Sequence, residues 1–200
     1  MGAFYLVEEL PYLAKGMLVT LELVVFSLGI GFLFGVPLAI GSVYGPRLAA
    51  RLISLYVWFF RGLPVLVLLF LFYLGLLPWI GIDLSPLAAS IVVLGLHSSA
   101  YQSQIFRGSI QSISSGQMLA ARSIGLSRAK SIWSIIVPQA LRVSIPGWSS
   151  EYAGLLHDSA IAYALGVTEM LTRANFISSR TFKPLPVYLA CAVLFIILTF

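Results

Sequence analysis

Glu151, His157 and Asp158 stand close together in a sequence stretch that is otherwise largely apolar. Ser144, Gly147, Glu151, Gly154 and Asp158 follow one another by three or four residues. That spacing puts them on one face of a helix. The two carboxylates then lie about 10 Å apart along that face. A polar face of this kind turned to lipid costs several kcal/mol per charged group, so it must face protein or a water-filled path. The chemistry on offer is that of a lined or gated route for a polar solute. His157 points away from the carboxylate face and reads as a hydrogen-bonded partner rather than a ligand. Ser90, His97, Tyr101 and Gln104 form a weaker polar stripe on the preceding apolar stretch. Glu22, in the first apolar stretch, reads equally as an inward carboxylate or as one near the outer surface. For Gly147 and Gly154, close helix packing is the expectation.

These residues need a scaffold, and composition defines it. Of the 200 residues, 60% are hydrophobic and 10% charged, with a mean hydropathy of +0.99. A soluble domain of this size would expose apolar patches larger than monomers tolerate. That excludes a cytosolic enzyme, a secreted disulfide scaffold and a disordered regulator. The expectation is an all-α membrane protein in a single domain over 1–200. Five apolar stretches mark its spans: Met17–Val43, Leu52–Leu77, Leu87–Phe106, Ser144–Leu165 and Pro186–Phe200. The last is short for a crossing, so the fifth helix reads as truncated. Gly31 and Gly35 make a GxxxG pair that predicts close helix packing.

Charge orients the spans. Arg47, Arg51, Arg107, Arg122, Arg128, Lys130 and Arg142 fall in the two gaps that contain no acid. That side should be cytoplasmic, which puts the N-terminus outside. The net charge of +5 follows from the same rule and does not call for nucleic acid. Glu8 and Glu9 precede the first apolar stretch, unlike the basic start of a cleaved signal. Cys191 is the single cysteine. It reads as an inert buried thiol, and nothing in the sequence calls for a metal or a cofactor. No GxxxxGK[ST] motif occurs, so the chain does not bind ATP through a P-loop.

The gap from 107 to 142 carries most information. Ser114 and Gln117 have capping-box spacing. Met118, Ala121 and Ile124 give the helix that follows a thin apolar side. Gly125 can end it in the left-handed conformation. Ser127 can cap a second helix running through Ile132, Trp133 and Ile136 to Pro138. This protrusion is too short to hold its own core, so it should dock on another protein. A DNA-binding helix-turn-helix is the weaker reading, because the second helix leads straight towards a span.

Gly116-Gln117-Met118-Leu119-Ala120-Ala121-Arg122-Ser123-Ile124-Gly125-Leu126-Ser127, with Pro138-Gln139-Ala140-Leu141-Arg142, resembles the EAA loop of ABC-importer permeases. The similarity is strongest to the polar amino acid permease family, and it runs along nearly the whole chain. Gly16 with Thr20-Leu21, Arg61-Gly62-Leu63-Pro64, and Ala100-Tyr101 with Ile105 and Arg107 resemble further family motifs. So do Glu151, Asp158-Ser159 and Gly166-Val167-Thr168-Glu169. The resemblance implies a type I importer fold, with five-helix subunits paired as a homodimer or heterodimer in the cytoplasmic membrane. It implies cytosolic ATP-binding subunits docked on Gly116, Gln117, Leu119, Ala120, Ala121, Gly125 and Pro138, and an external solute-binding protein. ATP hydrolysis would belong to the partner, not to this chain. The implied function is translocation of a polar or charged amino acid, along a path marked by Glu151, Asp158, His157, Gln104 and Glu22. The segment Thr168–Ile177 would lie near the outer surface, with Leu171, Ala174 and Ile177 on one packed face.

Three departures stand out. The family usually has Glu at the positions of Leu119 and Gln104, and Lys at that of His157. Leu119 is expected to pack on an apolar patch of the ATPase or on the loop's own second helix. Two rival functions remain at this stage. One is a stand-alone channel or secondary carrier. The other is an intramembrane hydrolase, in which Ser149 would need His97 or His157 within hydrogen-bond reach.

Overall fold

The computed structural model describes residues 4–200, and every regular element among them is helical. Helix α1 runs Phe4–Tyr44, α2 Arg47–Gly62, α3 Val65–Phe70 and α4 Leu77–Trp79. A π-helical turn, Leu71–Leu76, joins the last two. Helix α5 spans Pro86–Ser112, α6 Ser115–Ser123, α7 Arg128–Ser131 and α8 Val137–Val143. Helix α9 spans Ile145–Ser159, α10 Met170–Thr181 and α11 Pro184–Thr199. Within α1, Glu8–Tyr44 is long and apolar enough by itself to cross a bilayer. The stretch from α2 to α4 passes the same test only when taken as one span.

The second apolar stretch is not the continuous helix expected over Leu52–Leu77. It breaks at Leu63-Pro64, where Leu63 adopts φ −104 and ψ 141. Pro64 has no N–H to continue the ladder, and its ring drives the preceding residue to extended backbone. The fourth stretch also changes character. Helix α9 tightens into a 3-10 segment, Ala160–Leu165, and stops at Gly166 with φ 89. A left-handed residue there admits glycine without strain. Helix α5 continues past the expected end of the third stretch, to Ser112.

Contacts divide the chain into two units. One comprises Met1–Leu28, Pro64–Gly95 and Tyr152–Phe200. Its core joins Leu13 to Met170, Ala174, Ile177, Val187 and Cys191. The expected face of α10 is therefore correct, with Leu171 at its edge and Met170 added. Close approach explains Gly16, because a Cβ there would lie 2.7 Å from the Cα of Met170. The Met170 N–H donates to Thr20 Oγ1 at 3.2 Å. Cys191 is buried, as an inert thiol should be.

The other unit comprises Gly29–Leu63 and Leu96–Glu151. Val36, Ala39, Phe106, Ile110, Ile132, Ile136, Val137 and Ala140 form its core, with Met118 packed against it. The base of the protrusion therefore sits on a hydrophobic layer. Its second helix does not end at Pro138. A π-helical turn, Ile132–Ile136, leads into α8, which places Pro138 in its first turn. Such a wide turn lets a proline enter a continuing helix.

Candidate functional site

In the second unit a polar chain runs through the helices. Ser98 Oγ donates to Glu151 Oε1 at 2.6 Å, and Gln102 Nε2 donates to Ser98 Oγ at 3.0 Å. Trp148 Nε1 donates to Gln102 Oε1 at 2.9 Å. Ser98 and Gln102 are fully buried, whereas Glu151 is half-buried. Two glycines make the space. A Cβ at Gly31 would meet Gln102 Nε2 and lie 2.8 Å from Ser98 Oγ. One at Gly35 would lie 3.0 Å from Gln102 Cβ. The GxxxG pair thus packs α1 on α5 as expected, and a polar side chain fills the contact.

Ser98 and Gln102 were not on the predicted stripe. They lie four residues apart on a different face of α5 from Ser90, Tyr101 and Gln104. The available signal was the run His97-Ser98-Ser99-Ala100-Tyr101-Gln102-Ser103-Gln104, which is polar on more than one face.

The remaining predicted path residues take different places. Asp158 is half-buried and His157 exposed on α9. Gln104 is half-buried and donates to Ser103 Oγ at 3.2 Å. Glu22 is exposed on α1. The glycines of α9 divide. A Cβ at Gly147 would lie 2.9 Å from Ile105 Cγ2, which is close packing. At Gly154 nothing among the described residues lies within 4 Å, so packing does not explain it within the chain. The Ser149 hydroxyl donates to the Ile145 carbonyl at 3.0 Å, a bond within its own helix rather than to a histidine.

The protrusion has the expected punctuation. Ser114 caps α6, accepting from the Gly116 N–H, and Ser127 caps α7, accepting from the Lys130 N–H. Gly125 has φ 86 between them. Ala121, on α6, is buried. Gly116, Gln117, Ala120 and Pro138 are exposed. Ile124 is 78% exposed, so it does not belong to the buried side as predicted. It directly precedes the left-handed glycine, where the helix has ended. Leu119 is 72% exposed, which excludes packing on the loop's own second helix. Arg128 braces the protrusion, donating to the Tyr44 carbonyl at 3.4 Å.

In the first unit, Glu169 is a buried carboxylate whose role the sequence did not reveal. It caps α10: Oε2 accepts from the Leu171 N–H at 2.7 Å, and Oε1 accepts from the Thr172 N–H at 2.6 Å and the Thr172 hydroxyl at 2.8 Å. Burial raises its pKa, and these bonds partly offset the rise. A cavity of about 510 Å³ lies beside it, lined by Tyr163, Thr168, Leu171, Asn175, Phe176 and Tyr188 among others.

Residues 31–200 match the family model for the binding-protein-dependent transport system inner membrane component. The chain belongs to that family. This transport component is also similar to curated relatives along nearly its whole length. The probable amino-acid permease protein YxeN of Bacillus subtilis is 33% identical, with 98% of this chain and 88% of that protein covered. The histidine/lysine/arginine/ornithine transport system permease protein HisM of Salmonella typhimurium is 34% identical, with 94% and 84% covered. Among solved structures, an amino acid ABC transporter with histidines matches at TM-score 0.87 and 30% identity, over 100% of this chain and 92% of that one. The MetNI methionine ABC transporter matches at TM-score 0.83 and 21% identity, over 96% and 91%, which speaks for the fold alone.

Proposed function

We propose that this inner membrane component is the permease subunit of an ATP-driven importer of polar or charged amino acids. The observation that carries the proposal is the protrusion. It is a braced helix–glycine–helix unit with Leu119, Ile124 and Trp133 all exposed. Its charged residues, Arg122, Arg128 and Lys130, are all basic. A firm surface of this kind suits a separate ATPase subunit. The similarity to amino-acid permeases over nearly all of the chain supports the cargo class.

In this reading the chain is one transmembrane domain that crosses the membrane five times, with its N-terminus outside. It pairs with a second permease, identical or related. A solute-binding protein delivers cargo from outside. Glu151 and Asp158 line the path, where carboxylates can hold ammonium or guanidinium groups through charge-assisted bonds. Gln104, His157 and Glu22 add polar groups along it. Two cytosolic ATPases dock on the protrusions and drive alternation between inward-open and outward-open states.

Co-purification with its cognate P-loop ATPase, followed by ATP-dependent amino-acid uptake into proteoliposomes, tests this. Uptake that persists without any ATPase would favour a stand-alone carrier.

A further inference from the structure

Arg61 is the single charged residue between Arg51 and Asp83 in the sequence. It lies near the end of α2, about 15 Å along the helix axis from Arg51. The hydrocarbon core is about 30 Å thick, so an arginine at that depth, with α2 standing across the bilayer, is far from either headgroup layer. Charges so placed are retained for function and need a partner. Among the described residues, the protein supplies no carboxylate to Arg61, since the one ion pair is Arg180–Glu9.

The guanidinium is nonetheless held in place. Its Cζ sits 4.5 Å from the centroid of the Tyr101 ring. His97 stacks beside Tyr101 at 4.9 Å between centroids. Tyr56, on α2, locks that helix to α5: its hydroxyl donates to the Leu96 carbonyl at 2.9 Å and shares a 2.6 Å bond with Ser99. Arg61, Tyr101, Val57, Trp58 and Gly62 line an open groove of about 300 Å³. At the same stack His97 is only 6% exposed, and its Nδ1 has no hydrogen-bond partner among the described residues.

We propose that Arg61, presented over Tyr101, receives the carboxylate of the translocated amino acid in this groove. The proposal rests on the amino-acid importer reading and adds a carboxylate subsite to it. A guanidinium offers two parallel N–H donors that match a carboxylate's two oxygens. The aromatic ring beneath steadies the cation without neutralising it, which leaves the donors free for a ligand. Every free amino acid carries that carboxylate whatever its side chain, so Arg61 recognises the class.

The test uses the permease–ATPase complex in nanodiscs, without the binding protein. Equilibrium binding is measured for L-histidine, L-arginine and L-glutamine and for their carboxamides, and bound phospholipid is quantified by mass spectrometry. Wild type should bind at least one acid roughly tenfold or more tightly than its carboxamide, the range expected of a charge-assisted bond. Arg61→Gln should weaken the acid by a similar factor and bind acid and carboxamide alike. Arg61→Lys, which keeps the charge but loses the fork, should fall between the two, and it serves if the glutamine variant fails to assemble. A preserved acid preference in Arg61→Gln, or an unchanged acid affinity in Arg61→Lys, overturns the subsite while leaving the importer reading intact. Loss of bound phospholipid with acid preference unchanged assigns Arg61 to a lipid phosphate and also overturns it. If wild type binds none of the acids, the importer reading itself fails and the subsite falls with it.

Discussion

The Ser98 hydroxyl donates a 2.6 Å hydrogen bond to Glu151 Oε1. A fully buried donor thereby fixes a half-buried carboxylate on α9. Through Gln102 the same chain returns to α9 at Trp148, so its two ends, Glu151 and Trp148, lie on one helix. A hydrogen-bonded chain of this kind favours one orientation of the carboxylate.

Glu151→Gln keeps the shape and an acceptor oxygen for Ser98 while removing the charge. We expect the assembled complex to survive and substrate-stimulated ATP hydrolysis to fall about tenfold, the worth of one charge-assisted bond. Wild-type uptake in proteoliposomes would mean the charge has no role. Loss of assembly would assign Glu151 to packing instead.

This hydrogen-bonded chain depends on Gly31. A Cβ there would meet Gln102 Nε2, so Gly31→Ala forces Gln102 out of its bonds. Overpacking a core costs about 1–3 kcal/mol, and the thermal midpoint in detergent should drop accordingly. Gly29→Ala, two residues away with nothing within 4 Å, is the control and should be close to neutral. Equal midpoints for the two variants would refute the close approach.

The protrusion's capping serines, its left-handed glycine and the GxxxG contact were all legible in the sequence. Each has a signal written in residues adjacent or nearly adjacent in the chain. What stayed hidden depends on distant partners. Ser98 and Gln102 look no more special than Ser99 or Ser103 until Gly31 is seen opposite them. Neither the cap nor the burial of Glu169 shows in the sequence, because both depend on how the backbone folds around it. The break at Leu63-Pro64 was local and legible, yet the apolar run on both sides hid it. Hydropathy measures composition and is blind to a missing N–H.

Glu169 carries a pH signature. Burial raises its pKa in the folded protein above the ordinary 4.5. The protonated form is therefore favoured by folding. Its stabilising contribution is full below the unfolded value and is lost as pH rises through the folded one. Relative to Glu169→Gln, wild type should gain stability as pH is lowered across that interval. Glu169→Ala, which removes the cap, should cost about 1–2 kcal/mol at neutral pH. Parallel stability curves for wild type and Glu169→Gln between pH 4 and 7, measured with the intact complex in detergent, would contradict the shift.

The charge distribution predicts the orientation, and labelling tests it. Asp83 lies in the exposed turn between α4 and α5. In a Cys191→Ser background, Asp83→Cys should react with a membrane-impermeant maleimide in intact cells, while Arg122→Cys should react only after permeabilisation. The reverse pattern would invert the topology.

Leu119 is 72% exposed and contributes nothing to the chain's own core, so its apolar surface is available to a partner. Burying such a side chain is worth about 1.5–3 kcal/mol. Leu119→Ala should therefore leave the thermal midpoint of the isolated permease unchanged and weaken ATPase binding about tenfold. Gly125 acts differently. It holds φ 86 with open space around it, so a larger side chain there is opposed by the backbone alone. A left-handed L-residue costs about 1–2 kcal/mol, and a β-branched one more. Gly125→Val should reorient α6 against α7 and uncouple ATP hydrolysis from uptake more severely than Leu119→Ala. Arg122→Cys, in the Cys191→Ser background and paired with cysteines across the ATPase surface, reports the contact directly. An active complex in which no ATPase position cross-links to residue 122 would show that this protrusion is not the docking element. Normal coupling in Gly125→Val would show that its turn need not be fixed.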